Sequence, residues 1–294
     1  MQATFFTAVL LPVGLALVML GMGLTLLPED FQRVTRYPKA VAVGLVSQLV
    51  FLPIIAFLVA SIVPMRPEIA VGLMVLALCP GGPSSNMITY LAKGDVALSV
   101  TLTALSSAIT VFTIPIFANL SLQYFAGQSA AIALPVGKTM LQIFAITLVP
   151  VGLGMLIRQQ FPNLARRLEK VANRLAIGFL ALIILAIIIH EWNRLPTFIA
   201  QVGIGVVLLN VISMAIGFGL GKLLNLKFPQ QICIAIEVGI QNATLAIAIT
   251  AGLLNNPDMA IPAAIYSLFA YATALLTIFY GRRTATRIYQ EEKS

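Results

Sequence analysis

The sequence predicts an all-α protein that crosses a membrane several times, and three observations carry that prediction. Of the 294 residues, 60% are hydrophobic and only 10% are Asp, Glu, Lys or Arg. Soluble domains run at about 45–50% apolar and about 25% charged. The mean hydropathy is +0.99, so a body of this size has too few charges to cover itself for water. The apolar residues also gather into long stretches without strict alternation. A helix needs about 20 such residues to cross about 30 Å of hydrocarbon, whereas a barrel strand shows about ten with period 2. A soluble enzyme, a nucleic-acid binder and a disordered chain are thereby excluded.

Nine stretches meet the requirement, near 5–27, 39–62, 69–92, 95–121, 133–157, 172–190, 198–224, 230–254 and 259–281. The first lacks a basic segment before it and runs through Gly21-Met22-Gly23 without a cleavage pattern, so it reads as a span and not as a signal peptide. Cys79 and Cys233 both lie inside apolar stretches, which argues against a disulfide framework or a transition-metal site.

The charges then fix the orientation. With nine spans, one side holds Arg33, Arg36, Lys39, Lys93, Arg158, Arg166, Arg167, Lys170, Arg174, Lys222, Lys227, Arg282, Arg283, Arg287 and Lys293. The other holds Arg66, Lys138 and Arg194, a division of 15 against 3. The basic side is expected in the cytoplasm, with the N-terminus outside and the C-terminus inside a cell inner membrane. The net charge of +8 therefore sets topology and meets anionic headgroups; no nucleic acid is implied.

The two halves of the chain resemble each other at an offset of 162 residues. Pro67 maps onto Pro229, Gln48 onto Asn210 and Glu29 onto Glu191; with a one-residue slip, Asp95-Val96-Ala97-Leu98 maps onto Asp258-Met259-Ala260-Ile261. Four spans separate the third from the eighth, so the repeats have inverted topology, 1–121 against 122–294. The fifth span has no partner, as though a helix before the first were missing. Repeats of this kind place a binding site near the midplane, at discontinuous helices.

The third span carries such a discontinuity at Cys79-Pro80-Gly81-Gly82-Pro83-Ser84-Ser85-Asn86, where prolines remove backbone donors and glycines relax the helix. The repeat offset sets it opposite Gln241-Asn242-Ala243-Thr244 in the eighth span. Unwound backbone at this depth lines a protein-enclosed or wet cavity. Its carbonyls can hold a cation, and the new helix N-terminus can hold an anion.

Of the ten acidic residues, nine lie in connections, near span ends or in the tail; Glu237 alone lies deep in a span. No Lys or Arg is equally deep: Lys138 and Lys222 sit near ends where they can snorkel, and His190 is also at an end. An intramembrane carboxylate needs a partner, here Na⁺ or H⁺, unless it is a protonated structural group. Oxygen-bearing neighbours favour Na⁺, a hard cation. Ser99 and Thr103 share a helix face, Ser85 and Asn86 flank the first break, and Gln241 lies one turn after Glu237. The Gly217-Phe218-Gly219-Leu220-Gly221 run reads as close helix packing, and Met19 and Met22 as apolar filling. No nucleophile–base–orienter set is present, which argues against an enzyme.

Leu20-Gly21-Met22-Gly23-Leu24, Cys79-Pro80-Gly81-Gly82 with Ser85-Asn86, and Glu237-Val238-Gly239 with Gln241-Asn242 resemble the bile acid:sodium symporter family over essentially the whole chain. The resemblance implies a core domain of spans 2–4 and 7–9, with spans 3 and 8 broken and crossing, beside a panel of spans 1, 5 and 6. It also implies that the first helix of ten-helix relatives is absent. Two sodium ions are implied, one at Ser85, Asn86, Ser99, Thr103 and Glu237. The other is implied at Gln48, Glu237, Gln241 and the backbone carbonyls of Val238 and Ile240. Pro83, Ser84 and Asn242 would face a substrate crevice, Pro83 standing where relatives can carry a small polar residue such as Thr.

The expected function is sodium-coupled symport of an organic anion, bile-acid-like or a small carboxylate such as pantoate or a 2-oxo acid, by alternating access across the lipid bilayer. No obligate protein partner is expected. A proton-coupled carrier using Glu237, and a non-transporting membrane anion sensor, are the alternatives.

Overall fold

The computed structural model describes residues 11–127, 135–190 and 195–291. Among them all regular structure is helical, apart from one isolated bridge. Helix α1 is Leu11–Gly23 and α2 is Pro28–Arg36, bent from it by 72°. Then follow α3 (Pro38–Ile62), α4 (Pro67–Leu78), α5 (Pro83–Leu91) and α6 (Val96–Ala126). The second half contains α7 (Val136–Gln160), α8 (Pro162–His190), α9 (Leu195–Leu223), α10 (Phe228–Gly239), α11 (Ala243–Leu253) and α12 (Ile261–Glu291).

The starts of these helices follow from sequence chemistry. Proline occupies the first or second position of α3, α4, α5 and α10, where its missing N–H would have had no helical partner. Asp95 caps α6 by accepting the Leu98 N–H at 3.0 Å. Helix α2 escaped the sequence analysis because it is short and polar. Its signal was Pro28-Glu29-Asp30: the Asp30 carboxylate accepts the Leu27 N–H at 2.9 Å, one half of a capping box. Helix α8 begins ten residues before the apolar stretch expected from 172, and α12 runs to Glu291, past the expected 281. In both cases the hydropathy ends at charged segments, with Arg166, Arg167 and Lys170 in one and Arg282, Arg283 and Arg287 in the other, residues that favour a helix.

Among the described residues, five helices are long and apolar enough to cross a membrane, or six if the bent pair α1–α2 counts as one span. Helices α4 and α11 are apolar but shorter. Large apolar side chains stand on the outside, among them Ile62, Leu223 and Leu276, each more than 70% exposed. Such a surface suits lipid and would be a liability in water. Residues 5–10 of the first expected span, Glu191, Arg194, Lys293 and the rest of the tail from 292 lie outside the described residues.

The interior is built around the interrupted helices. Every residue from Ile69 to Leu78 of α4 and from Ile232 to Gly239 of α10 is buried. Helix α9 packs along α10 and α12, while α1 packs along α7 and α8. Between α1 and α7 the backbones themselves touch: a Cβ at Gly23 would overlap the Val151 carbonyl, and one at Gly154 would strike the backbone of Gly23 and Leu24. The glycine run in α9 packs as its composition suggested, in part. A Cβ at Gly217 or Gly221 would press on α10, whereas Gly219 faces open space. Met19 and Met22 are buried.

Contacts also run between the two halves. The Asp95 N–H donates to the Pro229 carbonyl at 2.9 Å, and Arg66 donates to Asp258 at 2.7 Å. Each therefore joins the start of a long helix in one half to the start of an interrupted helix in the other. The Asp258 hydrogen bond is the main cause holding the Arg66 guanidinium pKa above its ordinary value.

Candidate ion-binding site at two helix breaks

Helix α4 ends at Cys79, which turns extended (φ −72°, ψ 151°), and α5 restarts after Gly82 (φ −138°, ψ −178°). Helix α10 ends at Ile240 (φ −119°, ψ 92°), and α11 restarts after Asn242. The two extended stretches lie against each other. Gly81 and Gln241 form an antiparallel bridge, and the Asn242 N–H donates to the Pro80 carbonyl at 2.9 Å. Backbone groups freed by one break are thus satisfied by the other, as burial demands.

Glu237 sits beside this crossing and is 1% exposed. Ser99 donates to its Oε2 at 2.9 Å, and Thr103 donates to its Oε1. Asn86 Oδ1 lies 2.8 Å from Ser99 Oγ and 3.4 Å from Thr103 Oγ1. Ser85 Oγ is 3.5 Å from Thr103 Oγ1 and donates to the Gly82 carbonyl at 2.8 Å. The first expected ligand set is therefore one cluster, drawn from α5, α6 and α10. Gly81 has to be glycine here, because a Cβ would meet the Glu237 carboxylate and stand 3.2 Å from Ser85 Oγ.

The cluster's chemistry is uniform. Ser85, Asn86, Ser99, Thr103 and Glu237 all offer oxygen, and no basic side chain bonds Glu237 among the described residues. No group of three or more His, Cys, Asp or Glu occurs among them either. Such a donor set fits a hard monovalent cation better than a transition metal.

The second expected set is assembled around a pair of amides. Gln48 lies in a π-helical turn of α3, Ser47–Phe51, a local widening that often marks a functional position. It donates to the Cys79 carbonyl at 2.9 Å and to Gln241 Oε1 at 2.8 Å. Gln241 in turn donates to the Val238 carbonyl at 2.7 Å. Ile240 follows in the extended stretch. The Glu237 carboxylate belongs to the first cluster, and its link to the second is its backbone carbonyl, 3.4 Å from Gln241 Nε2.

The expected substrate residues border the same crossing. Ser84 Oγ is 3.3 Å from the Tyr271 hydroxyl at an exposed position, and Pro83 opens α5. Asn242 caps α11 through its Oδ1, which accepts the Leu245 N–H at 3.0 Å. Its Nδ2 is buried without a hydrogen-bond partner among the described residues. The nearby glycine Gly82 leaves room there, since a Cβ on it would stand 3.9 Å from that nitrogen.

Two residues of the network escaped the sequence analysis as functional groups. Asn210 donates to the Gly239 carbonyl at 2.7 Å, and the Tyr266 hydroxyl donates to the same oxygen at 2.9 Å. An amide in an apolar span was a visible signal for Asn210. A tyrosine in an apolar span is too ordinary to signal anything.

Residues 12–198 match the family described as "Sodium Bile acid symporter family". The chain belongs to that family. It is 33% identical over 285 residues to the "Uncharacterized sodium-dependent transporter YocS" of Bacillus subtilis (strain 168), covering 96% of this chain and 86% of that one. It is 32% identical to the "Probable sodium/metabolite cotransporter BASS2, chloroplastic" of Oryza sativa subsp. japonica, covering 96% of this chain and 66% of the relative. To the "Ileal sodium/bile acid cotransporter" of Oryctolagus cuniculus it is 26% identical, covering 94% and 79%. The relatives are transporters, and the chain is a membrane protein of a sodium-dependent transporter family, not an enzyme.

Proposed function

We propose that the chain is a sodium-coupled symporter that imports an organic anion by alternating access. The observation that carries this reading is the oxygen cluster around Glu237, a buried carboxylate on α10 with hydroxyl and amide oxygens gathered about it from α5 and α6. Two Na⁺ ions are bound, one by Ser85, Asn86, Ser99, Thr103 and Glu237. The second is bound by Gln48, Gln241, Glu237 and the carbonyls of Val238 and Ile240. One carboxylate with two sodium ions leaves a single positive charge, which an organic monoanion neutralises. Each ligand alone then meets a less balanced site, and that is a physical source of coupling.

The anion sits at the crossing, where Asn242 Nδ2 is an unspent buried donor and the N-termini of α5 and α11 begin. Nine spans build the transporter. The broken pairs α4–α5 and α10–α11, with α1 and α8, join the five long apolar helices. The halves 1–121 and 122–294 are inverted repeats. The like roles of Gln48 and Asn210 support this, each donating to a carbonyl at the end of an interrupted helix. The first span, α7 and α8 form the panel, against which the remaining core rocks. The N-terminus is outside and the C-terminus cytoplasmic, in an inner membrane.

Uptake by purified protein in proteoliposomes tests the reading. An inward sodium gradient should drive uptake of a matching anion, choline or K⁺ should not replace Na⁺, and Glu237→Ala should fall to background. Uptake that persists unchanged in choline, or follows a pH gradient instead, defeats it. A thermal-shift screen of organic anions with and without Na⁺ identifies the substrate class.

A further inference from the structure

We infer that Asn210 and Tyr266 are positioning residues for the second sodium site, acting through the Gly239 carbonyl; this rests on the two-sodium reading above. Val238 and Ile240, whose carbonyls that reading assigns to the ion, flank Gly239 in the chain. Glycine is required at this point, since a Cβ would overlap the side chain of Met214 on α9. Glycine also leaves the flanking peptide planes the freest to turn. The Gly239 oxygen is held by two neighbouring donors instead. Asn210 Nδ2 on α9 donates to it at 2.7 Å and the Tyr266 hydroxyl on α12 at 2.9 Å, with 3.2 Å between Asn210 Nδ2 and the Tyr266 hydroxyl.

Both donors are 0% exposed. The bond to a carbonyl fixes which end of the Asn210 amide is nitrogen. Its Oδ1 then has no partner among the described residues, so the side chain is kept for its donor at the cost of a buried acceptor. Rotating the Gly239–Ile240 peptide plane would break both bonds at once. The tether therefore holds the plane that lies between the Val238 and Ile240 carbonyls and restrains how they turn before any ion arrives, much as outer partners orient the ligands of other metal sites.

The test is a sodium titration of thermal stability in detergent, with choline replacing Na⁺ at constant ionic strength, on wild type, Tyr266→Phe and Asn210→Leu. Tyr266→Phe keeps the ring and removes one donor. Its sodium midpoint should rise about 10-fold, as for outer-partner losses elsewhere, while its melting temperature in choline falls only by the loss of one buried hydrogen bond. Asn210→Leu should show the larger rise. A Tyr266→Phe midpoint equal to wild type overturns the inference. So does a melting temperature lowered equally in choline and Na⁺ with the midpoint unmoved, the signature of packing alone. A wild-type chain without any sodium response overturns the two-sodium reading and this inference with it.

Discussion

The two helix breaks do the same job with different chemistry. The first, between α4 and α5, is made covalently: Pro80 and Pro83 lack the N–H a helix needs, and Gly81 and Gly82 relax the backbone between them. Its restarting helix is capped by Gly82, without any side-chain hydrogen bond. The second break contains no proline at all. It is held open by hydrogen bonds, from the Leu245 N–H to Asn242 Oδ1, from Gln241 to Val238, and from Asn210 and Tyr266 to Gly239. A break written into proline and glycine disfavours the helix on its own, whereas one held by side chains can be re-formed when its partners change. The ion-responsive half of the site is accordingly expected at the second break.

Substitutions can break or sharpen this contrast. The largest effect is expected from Gly81→Ala, which puts a methyl group against the Glu237 carboxylate. Sodium-driven uptake in proteoliposomes should fall to background, with a stability loss of about 1–3 kcal/mol from overpacking. Asn242→Ala comes next. It removes the cap of α11, which costs about 1 kcal/mol of stability, and the unspent Nδ2 donor, so the KM for the anion should rise as well. Denaturation and uptake measured on the same preparation separate the two losses.

Pro80→Ala should be milder, within about 1 kcal/mol, because the Pro80 carbonyl and its bond from Asn242 are retained. A large loss of uptake there would show that the first break also depends on a single residue, and the contrast would fail. The smallest effect is expected from Arg66→Gln. Its pair with Asp258 is partly exposed, 35% and 22%, and such pairs contribute about 0–1 kcal/mol. The melting temperature should drop slightly, and less at high salt.

The same contrast explains what the sequence made legible. Prolines and glycines announce themselves, so the first break could be located to the residue, and a lone carboxylate among apolar residues singled out Glu237. Most residues of the first ligand set stood out by burial and spacing around those two landmarks, and the family resemblance grouped them into one site. The second break has no such marker; the repeat offset alone located it, and Gln48 with the two carbonyls came from family resemblance. Tyr266 stayed hidden because its role depends on α12 returning to α10 across the fold, a contact that no local pattern encodes. Helix α2 was hidden for a different reason: its nine residues PEDFQRVTR lie below any membrane-spanning length.

The backbone contact between α1 and α7 has a mechanical consequence. With Gly23 against Val151 and Gly154 against Leu24, no side-chain cushion separates the two helices, so they cannot slide past one another without steric overlap. Just beyond Gly23 the chain turns by 72° into α2, and α2 is fastened to α6 by the Thr101 hydroxyl on the Asp30 carbonyl, at 2.9 Å. The connecting residues are themselves bonded back onto α1, Leu24 to the Leu20 carbonyl, Thr25 to that of Met22 and Leu26 to that of Gly23, so α1, its bend and α2 pass a displacement of α7 on to α6 as one stiff arm.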